Sequence, residues 1–163
     1  MENNQSAWLT AIIAGIIGIA ISSAIFVFIA TKTGSIYGAV AILCGAISGG
    51  AVGLGYKLAK GKFKTASDVK IFTWVLALFG LLGVMNAYLA PYVFIAKAAI
   101  PLSMYFSLMQ FGFMDALFIL IGAYGGRWAG SFMAKSIIIS QFKQHIEKAQ
   151  KEQIKKADSK IKK

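Results

Sequence analysis

Residues 36–58 read Ile36-Tyr-Gly-Ala-Val-Ala-Ile-Leu-Cys-Gly-Ala-Ile-Ser-Gly-Gly-Ala-Val-Gly-Leu-Gly-Tyr-Lys-Leu58, and their reading decides the fold. No charge interrupts them before Lys57, and about 20 helical residues cross the ~30 Å of a bilayer's hydrocarbon. The glycines are periodic. Gly34, Gly38, Gly45, Gly49 and Gly53 fall four, seven, four and four apart, with Ala41 bridging the longer gap. Small residues at that spacing form a flat groove along one helix face, where another backbone can approach closely although lipid supplies no hydrophobic drive between helices. Shorter series stand in 11–22 (Ala11, Ala14 or Gly15, Gly18, Ser22) and in 122–130 (Gly122, Gly126, Gly130). The spacing predicts a packing face, used within the chain or against a second copy or a partner helix.

Working outward, residues 7–30 and 71–92 are two further runs long enough to span. Thr31-Lys-Thr-Gly-Ser35 makes a tight turn between the first two runs, and the polar loop 60–70 offers Ser67 or Asp68 as the cap of the third helix. The first run is preceded by six residues without Lys or Arg and is too long for a cleavable signal peptide, so it reads as a retained membrane helix. Residues 91–135 allow two threadings. A helix from about 102 to 123 would bury Asp115 near mid-bilayer, where a carboxylate costs at least about 2.5–3.5 kcal/mol. A helix over 115–133 instead places Asp115 at its N-terminus, facing free N–H groups and the positive end of the dipole. The second is preferred, with 94–113 interfacial or re-entrant and broken by Pro101. Trp8, Trp74, Tyr88, Tyr92 and Trp128 then fall near helix ends, as an interfacial belt does.

The composition agrees with a lipid solvent. Of 163 residues 58% are hydrophobic and 14% charged, more apolar surface than one soluble core of this length can bury. Seventeen Lys and Arg against six Asp and Glu leave a formal net charge of +11. The cations are concentrated: five lysines lie in 57–70 and nine in 134–163, whereas the alternate loops hold only Lys32 and Lys97. Positive charge accumulates on cytoplasmic loops, so four spans put both termini in the cytoplasm. The 134–163 tail reads as a basic amphipathic helix, with Ile138, Phe142, Ile146, Ala149, Gln153, Ala157 and Ile161 recurring every three or four residues. Lys57, Lys60, Lys62 and Lys64 of the loop, with Lys143, Lys148, Lys151, Lys155 and Lys156 of the tail, are the candidates for contact with anionic headgroups.

Catalytic chemistry is thinly supplied. A phosphate loop needs Gly, four residues and Gly-Lys-Ser/Thr, but Gly61-Lys62 is followed by Phe63 and Tyr56 stands at the first glycine's place. The dinucleotide fingerprint fails as well, at Leu58. The one histidine, His145, sits in the tail without neighbours at metal-ligand spacing, and no two carboxylates pair at helical spacing inside the spans. Cys44, the one cysteine, can form no disulfide within the chain and reads as a small packing residue. No enzyme activity, metal, cofactor or nucleic-acid partner is expected. Asp115, Asn86 and Gln110 are polar groups at or near membrane depth, to be read as a cap and interhelical hydrogen bonders or as the lining of a path. Arg127 is Asp115's natural countercharge, but twelve residues, about 18 Å, separate them along one helix.

Two stretches, Gly34-Ser-Ile-Tyr-Gly38-Ala-Val-Ala-Ile followed by Gly45 to Gly61, and Gly112-Phe-Met-Asp115-Ala-Leu-Phe-Ile-Leu-Ile-Gly-Ala-Tyr124, carry a resemblance. Over residues 13–128 the chain resembles small bacterial four-helix integral membrane proteins of unassigned function. The resemblance implies Asp115 at the start of the last helix and lends no activity. The expectation is therefore an all-α polytopic bundle: four spans over 7–30, 36–58, 71–92 and 115–133 in the bacterial cytoplasmic membrane, and a basic cytoplasmic helix over 134–163. Its function is expected to be that of a small membrane subunit or scaffold packed through glycine faces, as a homo-oligomer or with other membrane subunits. The basic loop and tail would contact anionic lipid or an acidic partner. An oligomeric channel or transporter for an ion or small solute is the alternative.

Overall fold

A computed structural model describes residues 2–33, 38–94, 101–108 and 112–161, and all regular structure among them is helical. The elements are α1 (Glu2–Thr33), α2 (Gly38–Leu58), α3 (Ala66–Phe94), α4 (Leu102–Leu108) and α5 (Phe113–Ile161). Among the described residues three helices, not the expected four, are long and apolar enough to cross a membrane: α1, α2 and α3. The expected fourth, 115–133, opens the 49-residue α5, and Arg127 together with Gly122, Gly125, Gly126 and Gly130 dilutes its apolar character. The helix runs past residue 134 without a break, so the basic tail continues the same rod. Helices α1 and α3 likewise overrun the apolar runs at both ends, because nothing polar in 2–6 or 66–70 breaks a helix.

Two apolar clusters give the directions of the chain. At one end Ala7 and Ala11 of α1 meet Tyr56 of α2, Phe63 of the following loop, Phe72 of α3 and Ala134 of α5. At the other, Phe26 of α1 meets Ala41 and Cys44 of α2, Val84, Ala87 and Tyr88 of α3, and Ile119 of α5. The four long helices therefore run alternately up and down, and α2 is parallel to α5. The bundle is apolar outside: α1 exposes Leu9, Ile12, Ile13, Ile16, Ile17, Ile21, Ile25 and Phe28, whereas Ser22, Ser23 and Ser48 are buried. That inversion is the pattern a hydrocarbon solvent demands.

The helix starts differ from expectation in detail. Thr65 caps α3, rather than Ser67 or Asp68: its Oγ1 accepts the Asp68 N–H at 3.2 Å while Asp68 Oδ2 accepts from Thr65 N at 2.9 Å and Lys64 N at 2.7 Å. This is a reciprocal capping box. Helix α2 ends with Lys60 at φ 54°, Gly61 N donating to Tyr56 O and Lys60 N to Lys57 O, the two bonds of a Schellman motif. Within 94–113 the seven residues of α4 are too few to cross a bilayer. Tyr105 of α4 donates to the Tyr88 carbonyl at 2.8 Å and so moors α4 on α3.

Candidate functional site

The seam between α2 and α5 is the tightest feature of the bundle. A Cβ added at Gly45 would lie 2.5 Å from the Gly122 oxygen, one at Gly49 2.5 Å from Gly126 Cα, and one at Gly53 2.7 Å from Gly130 Cα. Each pair is 77 residues apart, the constant offset of two parallel helices in register. A Cβ at Gly126 would also lie 2.5 Å from Gly80 Cα, so three backbones converge there. Gly38 instead receives the Phe118 ring, and on the far side of α2 Gly18 and Gly55 admit Ala51 and Ala14 of the opposing helices. The glycine face of α2 is thus spent inside the chain, and a second copy or partner helix must use another surface. Gly34 lies outside the described residues.

A small polar array fills the space among α1, α2 and α3. Ser48 Oγ donates to the Cys44 carbonyl at 2.8 Å, the Cys44 thiol donates to the Ser22 carbonyl at 3.4 Å, and the Ser22 and Ser48 hydroxyls lie 3.4 Å apart. Asn86 Nδ2 donates to Ser23 Oγ, which donates to the Ile19 carbonyl at 2.7 Å. Ser23 and Asn86 also line an outward groove of about 560 Å³ whose other walls are Ala20, Ala24, Val27, Phe28, Thr31 and Phe94. The sequence reading counts Ser22 only as a small packing residue and singles out neither Ser23 nor Ser48. Their signal was hydroxyls at 22, 23 and 48 inside apolar runs, where each must find an acceptor.

Asp115 is the third residue of α5, not its cap, and its carboxylate closes half of a capping box by accepting from Gly112 N at 2.9 Å. Its other oxygen accepts from Tyr88 Oη at 3.0 Å. Asp115 and Asn86 thus hold different partners, Tyr88 and Gly112 for the one and Ser23 for the other; Gln110 lies outside the described residues. Trp128 is not at a helix end but at mid-bundle, beside the convergence at Gly126, and 64% exposed.

At the opposite end Tyr56 is fully buried against Trp8, Phe63 and Phe72, its ring 4.9 Å from that of Phe63. Its hydroxyl lies 3.2 Å from Asn4 Oδ1 and 3.1 Å from the Lys62 carbonyl, and Lys62 N also donates to Asn4 Oδ1. The start of α1 is thereby fastened to the basic loop. Lys57, Lys60, Lys62 and Lys64 are exposed around this end, as are Lys143 and Lys151 on α5. The side chains of Lys148, Lys155, Lys156 and His145 lie outside the described residues. No group of three His, Cys, Asp or Glu that could hold a metal occurs among the described residues. Comparison with known proteins finds no matching family model, no similar curated protein and no similar solved structure.

Proposed function

We propose that this chain is a non-enzymatic integral membrane subunit or scaffold with four spans, both termini on the cytoplasmic face of a bacterial membrane, that presents a basic helix to anionic lipid. The observation that carries this reading is the parallel seam of α2 and α5. Its register sets the first half of α5 alongside α2, a helix apolar enough to span, and this supports a fourth span despite the weaker apolarity of α5 itself. It also brings Phe63 and Ala134 into one cluster, so that the basic loop and the lysine-rich continuation of α5 leave the bundle at the same end. From Ala134 to Ile161 that continuation is about 40 Å long at 1.5 Å per residue. Each lysine near an anionic surface adds about 1 kcal/mol, and the stripe of Ile138, Phe142, Ile146 and Ile161 is thin, so charge dominates the attraction.

The full-length protein tests this directly. A fluorophore on Ile154→Cys, in a Cys44→Ala background, should be quenched by brominated lipid in anionic nanodiscs and not in neutral ones. Quenching should fade as the Debye length falls from about 10 Å at 0.1 M salt to about 3 Å at 1 M. Quenching that ignores salt would mean apolar insertion, and none in anionic nanodiscs at low salt would reserve the helix for an acidic protein.

A further inference from the structure

Arg127 is exposed on α5, and among the described residues none hydrogen-bonds or pairs with it. On α5 it lies about midway between Ile119, which packs on the apolar cluster at one end, and Ala134, which belongs to the cluster at the other, so Arg127 stands at the middle of the bundle's length. Along α5 it is about 18 Å from Asp115 and about 12 Å from Lys135, and the nearer, basic end lies C-terminal to it. Helical Cα–Cβ bonds tilt toward the N-terminus, so reaching that end runs against the direction in which the side chain leaves the backbone. Tyr124, Trp128 and Phe132 are exposed beside it, the last two stacked at 6.0 Å. A guanidinium at such depth needs a counter-charge. A second copy offers none at that level: Asp115 stands in the first turn of α5 and Asp68 in the first turn of α3, at opposite ends of the bundle, Glu147, Glu152 and Asp158 lie beyond the bundle, and Glu2 opens α1.

We propose that the outer face of α5 around Arg127 docks a transmembrane helix of another protein that carries a carboxylate at mid-depth, paired with the Arg127 guanidinium. The inference rests on α5 being the fourth span. Full-length protein, labelled through Lys163→Cys in a Cys44→Ala background, is reconstituted in phosphatidylcholine vesicles with labelled leucine-alanine helices bearing a central glutamate or a central leucine. Energy transfer should report at least about tenfold tighter association of the glutamate helix. Arg127→Leu should abolish that preference, and Arg127→Glu should transfer it to a helix with a central lysine. Equal association of both helices, or a preference that survives Arg127→Leu, overturns the docking face. So does self-association that depends on Arg127, which would make a second copy the occupant. Accessibility separates this failure from that of the four-span reading: with Arg127→Cys in the Cys44→Ala background, labelling by a membrane-impermeant maleimide would put residue 127 in water and overturn the span itself. An unlabelled thiol with failed docking overturns the docking face alone.

Discussion

Lys60 adopts a left-handed conformation at φ 54° where helices usually place glycine, while the glycine stands one position later. The reason for Gly61 is steric, since a Cβ there would strike the Tyr56 ring. The left-handed state costs a residue with a Cβ roughly 1–2 kcal/mol. Lys60→Gly should therefore raise stability by about 1 kcal/mol, offset in part by the freer unfolded chain. Thermal unfolding in detergent checks this, and an unchanged or lower midpoint would speak against strain at Lys60. Asp115 illustrates the opposite case, a residue whose role is all contact. Asp115→Ala removes the bonds to Tyr88 and Gly112 and should cost about 1–3 kcal/mol, whereas Asp115→Asn, which keeps a side-chain acceptor, should cost less. Equal losses in the two variants would point to charge rather than hydrogen bonding.

At the scale of elements, two adjacent glycines on α2 discriminate between packing and propensity. A Cβ at Gly49 would lie 2.5 Å from Gly126 Cα, but one at Gly50 would lie 3.6 Å from Ala129 Cβ, an ordinary contact. Gly49→Ala must push α5 off α2 and forfeit the dispersion contacts along the whole seam. Gly50→Ala should instead be neutral or stabilising by up to about 1 kcal/mol, the difference in helix propensity. Detergent unfolding midpoints of the pair decide the matter: similar losses at both positions would mean that the seam does not set stability. The periodicity that singled out Gly45, Gly49 and Gly53 could not say which helix they meet. The constant offset to Gly122, Gly126 and Gly130 exists only once α5 runs parallel to α2.

For the whole molecule the alternation of helix direction makes a topological demand. Tyr56, Phe63, Ala134 and the start of α1 occupy one end, so a reporter near Lys62 and one after Lys163 should read the same compartment, and one near Lys32 the other. With fourteen lysines in 57–70 and 134–163, the shared compartment should be the cytoplasm. An exported reporter at Lys62 would invert the assignment, and opposite readings at Lys62 and Lys163 would remove α5 from the membrane. Lysine-to-glutamine changes at Lys57, Lys60, Lys62 and Lys64 together should weaken the orientation bias without altering the bundle, because all four side chains are exposed.

The sequence by itself determined the all-helical class, the three apolar helices and the basic segments, because hydropathy, glycine spacing and charge are local and survive being read along a line. Even the placement of Asp115 in the first turn of the last helix was legible, since a carboxylate has few tolerable positions in an apolar run. Other assignments needed the third dimension. Whether Gly49 meets a second copy or its own chain, whether Ser22 finds Ser48 across 26 residues of sequence, and whether Asn4 reaches Tyr56 depend on which faces turn toward one another. The partner of residues 115–133 is the clearest instance. Composition alone leaves them short of a span, and only the fold sets their glycines against those of α2, a helix long and apolar enough to cross, because which faces meet is decided by packing and not by spacing along the chain.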